Sequence, residues 1–174
     1  RGGALAAIQL FPGTRGQRIS PAQLTRQEIE QLLAHYRTAA KVCAGAGFDG
    51  VEPHGAHGYL LNQFFSPEQN QRRDEYGGSA AGRMRLALEV LDDIRRRMAV
   101  DTDRIYIGGL FEGGRTACDL AYAYPEFVGG AIAVGGASSR RQEPWLRDRA
   151  KERLSVALVT GEFDLARREL EVLR

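Results

Sequence analysis

Two of the chain's three histidines, His54 and His57, lie three residues apart in the stretch VEPHGAHGYLLNQFFSP, and Tyr59 follows them. A His-x-x-His pair can bind a metal ion, but a zinc site needs further ligands, and Glu52 is the one other candidate nearby in the sequence. We therefore predict no metal site. Histidines in a glycine-rich turn are otherwise solvated, so any chemistry of this pair depends on the residues that surround it.

The composition is that of an ordinary globular protein. The chain has 174 residues, 43% of them hydrophobic and 26% charged, with a formal net charge of +2. This balance does not indicate nucleic-acid binding, and no apolar run has the length of a membrane span. Cys43 and Cys118 lie far apart in predicted helices, so no disulfide framework is expected and a cytoplasmic location is the default.

Short apolar runs alternate with segments of helical periodicity. The predicted strands are residues 4–10, 48–53, 104–109, 130–135 and 154–160. The alternation predicts an α/β fold of about five parallel strands in one open sheet with helices on both faces, and a partial (β/α)8 barrel is the alternative. Residues 99–103 are the best candidate for a boundary between two halves.

The helices between the strands have recognisable ends and faces. Thr25 and Glu28 predict a capping box at the start of the first long helix. Its predicted apolar face consists of Ile29, Leu32, Leu33, Tyr36, Ala40 and Cys43. Residues 54–79 are predicted to be a loop that caps the next helix, whose predicted apolar face is Met84, Leu88, Leu91, Ile94 and Met98. Residues 143–154 and 164–174 are predicted to be helical.

Residues 1–98 resemble the Old Yellow Enzyme family in a long, ordered series of motifs. The matching segments are IQL (8–10), LTRQEI (24–29), AGFDGVEPHGAHGYLLNQFFSP (46–67), NQRRDEYGGS (70–79) and RMRLALEV (83–90). The resemblance implies a flavin barrel in which FMN passes hydride from NAD(P)H to the β-carbon of an activated alkene. It implies that His54 and His57 bind the substrate oxygen, that Tyr59 protonates the α-carbon, and that Gln9 binds the pyrimidine edge of FMN.

The chain is short for such a barrel, which needs about 250 residues and binds phosphate with loops after its last strands. Pro12 also stands where the family often has histidine. We therefore expect FMN to bind weakly or to be lost. The resemblance is expected to end after Met98.

Residues 101–170 resemble the nucleophile region of esterase-like α/β-hydrolases. The nucleophile position of the G-x-S-x-G elbow is Phe111, and Asp164 matches the acid of the triad. Phenylalanine cannot attack a carbonyl and the expected histidine does not follow, so no esterase activity is predicted. The glycines around Phe111 are also typical of a tight strand-to-helix turn.

Together the two resemblances predict a chimeric chain, whether natural, recombined or designed. We expect residues 1–98 and 99–174 to pack as one compact unit. The leading hypothesis is a fragment of an FMN-dependent oxidoreductase acting on a small α,β-unsaturated carbonyl compound, with no nucleic-acid or membrane partner. The alternatives are a non-catalytic α/β scaffold and a hydrolase-like pseudoenzyme. The expected loss of the phosphate site leaves the assignment as an enzyme open.

Overall fold

The computed structural model describes residues 3–12, 19–136, 148 and 151–160. The chain divides into two compact units, Arg1–Ala99 and Val100–Arg174. The division falls at the beginning of the segment 99–103 that the sequence indicated as a boundary. Both units consist of parallel strands alternating with helices, so the predicted α/β class is confirmed.

The first unit has two strands and three α-helices among its described residues. They are β1 (Ala7–Leu10), a short 3-10 helix (Pro21–Gln23), α1 (Arg26–Gly45), β2 (Gly50–Pro53), α2 (Leu60–Phe65) and α3 (Ala80–Arg97). β1 and β2 pair in parallel, with Ala7 opposite Gly50 and Leu10 opposite Pro53. β2 ends at Pro53, as predicted, at a residue that has no N–H group to donate to a neighbouring strand.

α1 begins at the predicted capping box. The Thr25 hydroxyl accepts a hydrogen bond from the Glu28 backbone N–H at 3.2 Å, and the Glu28 carboxylate accepts one from the Thr25 N–H at 2.7 Å. The Thr25 N–H and hydroxyl both donate to the Glu28 carboxylate, and these two hydrogen bonds lower the pKa of Glu28. The buried face of the helix is largely the predicted one and consists of Ile29, Tyr36, Ala40 and Cys43.

α3 buries only part of the predicted face, because Ile94 is buried as predicted but the rest of the buried stripe differs. Leu88 and Leu91 are exposed, and the buried residues are Gly82, Leu86, Val90 and Ile94. Both sets of residues recur at helical spacing, so periodicity alone could not choose between them. The choice depends on the packing of α3 against α1 and α2, which buries the stripe that contains Leu86 and Val90.

α2 lies inside the segment that the sequence predicted to be a loop. It has six residues, fewer than two turns, which is too short for its periodicity to be read. Its apolar residues Leu60, Leu61 and Phe64 are nevertheless buried. Tertiary burial of these side chains therefore stabilises a helix whose length alone would make it marginal.

The second unit has three strands and one long helix among its described residues. They are a 3-10 helix (Thr102–Arg104), β3 (Tyr106–Leu110), α4 (Glu112–Ala123), β4 (Gly130–Val134) and β5 (Ser155–Val159). Asp148 and residues 151–153 are also helical, within the predicted connector 143–154. The predicted helix 164–174 lies outside the described residues.

The prediction of one continuous sheet is wrong. The five described strands form two sheets, β1–β2 and β3–β4–β5, and every pairing within them is parallel. Apolar runs specify strands, and crossover helices specify their parallel direction, but neither specifies which strands become neighbours. That choice depends on long-range contacts, and here the strands pair within their own units.

The core of the second unit lies on one face of its sheet. Cys118 and Ala121 of α4 pack with Ala131 and Ala133 of β4 and with Val128. The opposite face exposes apolar side chains, among them Tyr106, Leu110, Ile132 and Val159. In the described part of the chain, no helix is both long and apolar enough to cross a membrane.

Candidate functional site

The end of β2 positions the first histidine. The His54 N–H donates to the Leu10 carbonyl at 2.8 Å, which extends the contact between β1 and β2 by one residue beyond Pro53. The His54 side chain is only 6% exposed. The sheet therefore holds this imidazole at the C-terminal end of the strand, the end at which parallel barrels place their chemistry.

A tight backbone path brings His57 back toward His54. His57 and Gly58 have φ values of 56° and 72°, in the left-handed region that non-glycine residues seldom adopt. The turn is closed by hydrogen bonds with α2, because the Gly58 N–H donates to Asn62 Oδ1 at 3.0 Å and Gln63 Nε2 donates to the Gly58 carbonyl at 2.7 Å. The sequence predicts a loop over residues 54–79, yet α2 fixes this turn.

The two histidines and the tyrosine meet, and we call them the histidine–tyrosine cluster. His57 Nδ1 lies 3.2 Å from His54 Nε2, and the ring centroids of His54 and Tyr59 are 5.4 Å apart. Tyr59 also contacts Phe11, with ring centroids 5.3 Å apart, and is 46% exposed. One buried imidazole, one exposed imidazole and a half-open phenol thus share one place on the surface.

Gln9 lies on the open face of the small sheet and not in the core. It stands opposite Glu52 in the parallel register, and its Nε2 donates to Glu52 Oε1 at 2.9 Å. Both residues are exposed. The family resemblance predicts Gln9 as a flavin ligand, but Glu52, 43 positions away, becomes its neighbour only through strand pairing.

Polar side chains hold the loop after α2 in place. The sequence predicts only that this segment turns the chain and caps the next helix. Asn70 is buried, and its Nδ2 donates to the carbonyls of Phe64 and Tyr76 at 2.9 and 2.8 Å. Arg72 donates to the carbonyls of Pro21 and Leu24 at 2.6 and 2.5 Å. The segment NQRRDEYGGS therefore supports the structure that carries the cluster. Its last residue caps α3 as predicted.

Two ionisable side chains in this segment have shifted pKa values. Arg72 also pairs with Asp74, and the hydrogen bond from its guanidinium lowers the pKa of that carboxyl. Burial and a hydrogen bond to Glu89 raise the pKa of Tyr76 to about 12. Within the described residues, no group of three His, Cys, Asp or Glu side chains is placed to bind a metal ion.

The second unit has a strained turn at the position of the hydrolase nucleophile. Phe111 joins β3 to α4 with φ 51° and ψ −115°, and its side chain is 67% exposed. A Cβ atom on Gly109 would lie 2.2 Å from the Gly113 backbone, so this close approach of strand and helix requires glycine. Asp164, the predicted acid, lies outside the described residues.

These features define a class of protein, a parallel α/β protein that has a histidine–tyrosine cluster at the C-terminal end of a strand. The NADH:flavin oxidoreductase / NADH oxidase family matches residues 4–121, more than half of the chain. The protein belongs to this family, which confirms the resemblance of the first unit. The expectation that the resemblance ends after Met98 is wrong, because the match includes β3 and most of α4.

Known proteins share this region at substantial identity. An NADPH dehydrogenase of Clostridium acetobutylicum is 42% identical over 111 residues, covering 53% of this chain and 33% of that protein. A 12-oxophytodienoate reductase 1 of Oryza sativa subsp. japonica is 49% identical over 87 residues, covering 49% of this chain and 23% of that protein. The chain thus spans a third or less of the length of these relatives.

Solved structures extend the likeness to most of the chain. Morphinone reductase aligns with a TM-score of 0.56 and 27% identity, over 86% of this chain and 43% of that protein. This coverage exceeds the first unit, so the structural likeness includes part of the second. The arrangement of βα units is consistent with a partial (β/α)8 barrel, the alternative that the sequence left open.

Proposed function

We propose that the chain carries the substrate-oxygen subsite and part of the flavin subsite of an FMN-dependent oxidoreductase that reduces activated alkenes with NAD(P)H. The observation that carries this proposal is the 3.2 Å separation of His54 Nε2 and His57 Nδ1, with Tyr59 beside them. The relatives named NADPH dehydrogenase and 12-oxophytodienoate reductase support it. A morphinone reductase structure that contains tetrahydroNAD supports a nicotinamide reductant.

The spacing of the two imidazole nitrogens suits one shared acceptor. An oxygen atom at ordinary hydrogen-bond distance from both nitrogens would form a nearly equilateral triangle with them. When the nitrogens face each other directly, one donates and the other accepts. When both bind one oxygen, both must donate, so one imidazole changes tautomer or takes up a proton. Two such donors stabilise the negative charge that develops on a carbonyl or nitro oxygen during reduction.

Tyr59 is the proposed proton donor to the α-carbon. Its ring lies against His54, and its exposure of 46% leaves it accessible to a bound substrate. Contact with Phe11 restricts the ring without burying it. A general acid must lie within reach of the atom that it protonates, and a substrate whose oxygen binds both histidines would lie next to this phenol.

The described residues fit one edge of the cofactor. The Gln9 amide can present both a donor and an acceptor to the pyrimidine edge of FMN, and it lies on the open face of β1–β2. When bound, FMN supplies the hydride that it receives from NAD(P)H. Barrels of this kind bind phosphate with the loops after strands 7 and 8, whereas the described residues contain five strands. We therefore expect FMN to bind in about the millimolar to micromolar range.

The test is FMN titration by fluorescence quenching, followed by reduction of 2-cyclohexen-1-one with saturating FMN and NADPH. His54→Gln and His57→Gln are each expected to lower kcat/KM by about 10²–10³-fold, as the loss of an oxyanion donor does. Tyr59→Phe should lower kcat by about 10²–10⁴-fold. The matched controls are His35→Gln, on the exposed surface of α1, and Tyr106→Phe, at a similarly exposed tyrosine of the second unit.

Two results would change the proposal. Absence of both flavin binding and alkene reduction in the wild-type chain would overturn it and favour a non-catalytic scaffold. Tight stoichiometric FMN binding, weakened by Gln9→Ala, would overturn only the weak-affinity part and strengthen the assignment as an alkene reductase.

We propose that the second unit has no hydrolase activity, and that any joint to a hydrolase-like segment lies after residue 121, where the match to the flavin family ends. The strained turn at Phe111 and the close approach of Gly109 to α4 have the geometry of a hydrolase elbow, but the flavin-family match includes this turn, so the geometry alone does not indicate a hydrolase origin. Phe111 removes the nucleophile, so no turnover of aryl esters is expected. Ester turnover that disappears in Asp164→Ala would contradict this proposal.

A further inference from the structure

We propose that Glu52 is a positioning residue that orients the Gln9 amide toward the pyrimidine edge of the flavin. The proposal rests on the proposed flavin subsite and adds to it a residue whose effect is indirect. Its basis is the direct pairing of the two side chains across the parallel ladder, with Gln9 Nε2 donating to Glu52 Oε1 at 2.9 Å.

The carboxylate determines which end of the amide faces it. A glutamine amide has two N–H donors on one side and a carbonyl acceptor on the other, whereas an ionised carboxylate only accepts. Glu52 therefore requires the NH2 group of Gln9 to face β2. The carbonyl oxygen and the second N–H remain to accept from the flavin N3–H and to donate to a flavin carbonyl. Without Glu52 the amide could flip and present the opposite pattern.

The exposed location of the Gln9–Glu52 pair favours a functional role over a structural one. Both side chains are exposed, and a hydrogen bond between exposed groups contributes little to the free energy of folding. Replacement of Glu52 should therefore leave the fold intact. β2 carries Glu52 two residues before His54, so one short strand aligns the flavin-edge amide and the substrate-oxygen donors.

The first experiment needs no flavin. The side-chain NH2 signals of ¹⁵N-labelled protein are recorded by NMR, and those of Gln9 are identified by their loss in Gln9→Ala. In the wild type, one of the two Gln9 NH2 protons should be displaced downfield from the value of a solvated glutamine, because that N–H donates to a carboxylate. Glu52→Ala should return it to the solvated value, while Glu52→Gln, which retains an acceptor oxygen, should keep it displaced. Glu68→Ala, at an exposed carboxylate in a turn, is the control.

The second experiment compares lumiflavin with 3-methyllumiflavin, which lacks the N3–H donor. The wild type should bind lumiflavin about 3–10-fold more tightly, the effect of one net hydrogen bond. This preference should disappear in Glu52→Ala and in Gln9→Ala, and it should persist in Glu52→Gln and Glu68→Ala. In the Gln9→Ala background, Glu52→Ala should have no further effect, because Glu52 acts through Gln9.

The outcomes separate the two proposals. Failure of the wild type to bind either flavin overturns the flavin subsite and, with it, the role of Glu52. A wild type that prefers lumiflavin, together with a Glu52→Ala variant that has the same preference, overturns only the role of Glu52. Unchanged Gln9 shifts in Glu52→Ala would also overturn it. A merely structural role for Glu52 would change affinity for both flavins equally and leave their ratio unaltered.

Discussion

The open face of β1–β2 carries a hydrogen-bonded polar pair, whereas the open face of β3–β4–β5 carries exposed apolar side chains. Gln9 and Glu52 form a hydrogen bond on the open face of β1–β2. Ile132 and Val159 stand exposed on the corresponding face of β3–β4–β5. Parallel sheets are usually covered on both faces. A face with directed donors and acceptors is suited to a ligand, and an apolar face is one that folded proteins normally bury.

Each unit contains a non-glycine residue with a strained backbone, and the two residues differ in their side-chain chemistry. His57 in the first unit and Phe111 in the second are the non-glycine residues with positive φ among the described residues. At His57 the unusual backbone brings one imidazole to another. At Phe111 it presents an exposed phenyl ring that has no catalytic chemistry. Strain of this kind often marks functional sites, but the chemistry of the side chain decides whether the site is used.

The largest expected change is in the free energy of unfolding, and it compares a substitution in the core of the first unit with one on the open face of the second sheet. Phe64→Ala should lower the free energy of unfolding by about 3–5 kcal/mol, because Phe64 is 0% exposed. Ile132→Ala should cost less than about 1 kcal/mol, because Ile132 is 45% exposed. Urea denaturation measures both. A loss at Ile132 as large as that at Phe64 would show that the apolar face of the second sheet is covered in solution.

The next effect is electrostatic and depends on pH. Asp93 of α3 accepts hydrogen bonds from Arg37 of α1 and Arg97, each at 2.6 Å. Burial alone would raise the pKa of Asp93, but these hydrogen bonds outweigh it and hold the pKa below its usual range. The stabilisation is therefore present above the unfolded-state pKa of about 3.9 and is lost as the pH falls through the folded-state value.

Asp93→Asn should lower the free energy of unfolding at pH 7 by about 1.5–3 kcal/mol. It should also remove the part of the loss of stability below about pH 4 that comes from protonation of Asp93. Asp103→Asn is the matched control in the second unit, because the bridge from Asp103 to Arg153 is exposed and should contribute little. Equal effects of the two substitutions would contradict the distinction between the units.

Glycine at the two strained positions should separate stability from function. Phe111→Gly and His57→Gly should each raise the free energy of unfolding by about 1 kcal/mol, because glycine adopts positive φ without steric cost. His57→Gly should lower kcat/KM for alkene reduction by about 10²–10³-fold, and Phe111→Gly should leave it unchanged. Thermal unfolding and the NADPH assay measure the two effects. Loss of activity in Phe111→Gly would assign the second turn a role in the site.

The smallest expected effect concerns a buried hydroxyl in the first unit. Tyr36 Oη is buried without a hydrogen-bond partner in the described structure, and burial raises the pKa of this phenol well above its usual range. Tyr36→Phe should therefore stabilise the protein by about 0.5–1 kcal/mol. Tyr122→Phe, at a partly buried tyrosine of the second unit, should change stability by less than about 0.5 kcal/mol. Destabilisation by Tyr36→Phe would indicate that a bound water satisfies the hydroxyl.

Local sequence determined much of the secondary structure. Thr25 and Glu28 specify the start of α1, Ser79 specifies the start of α3, and Pro53 ends β2. In each case the deciding atoms belong to residues a few positions apart, so no distant contact is needed. The same locality explains why His54, His57 and Tyr59 could be recognised as one cluster from six consecutive residues.

Only the tertiary structure decided the features that depend on distant residues. It divided the strands between two sheets, selected the Leu86–Val90 stripe of α3 for burial, and stabilised α2 through buried residues such as Phe64. It also brought Gln9 opposite Glu52 across 43 positions of sequence. Periodicity records the faces that an element could bury, but packing against other elements determines which face is buried and which strand becomes a neighbour.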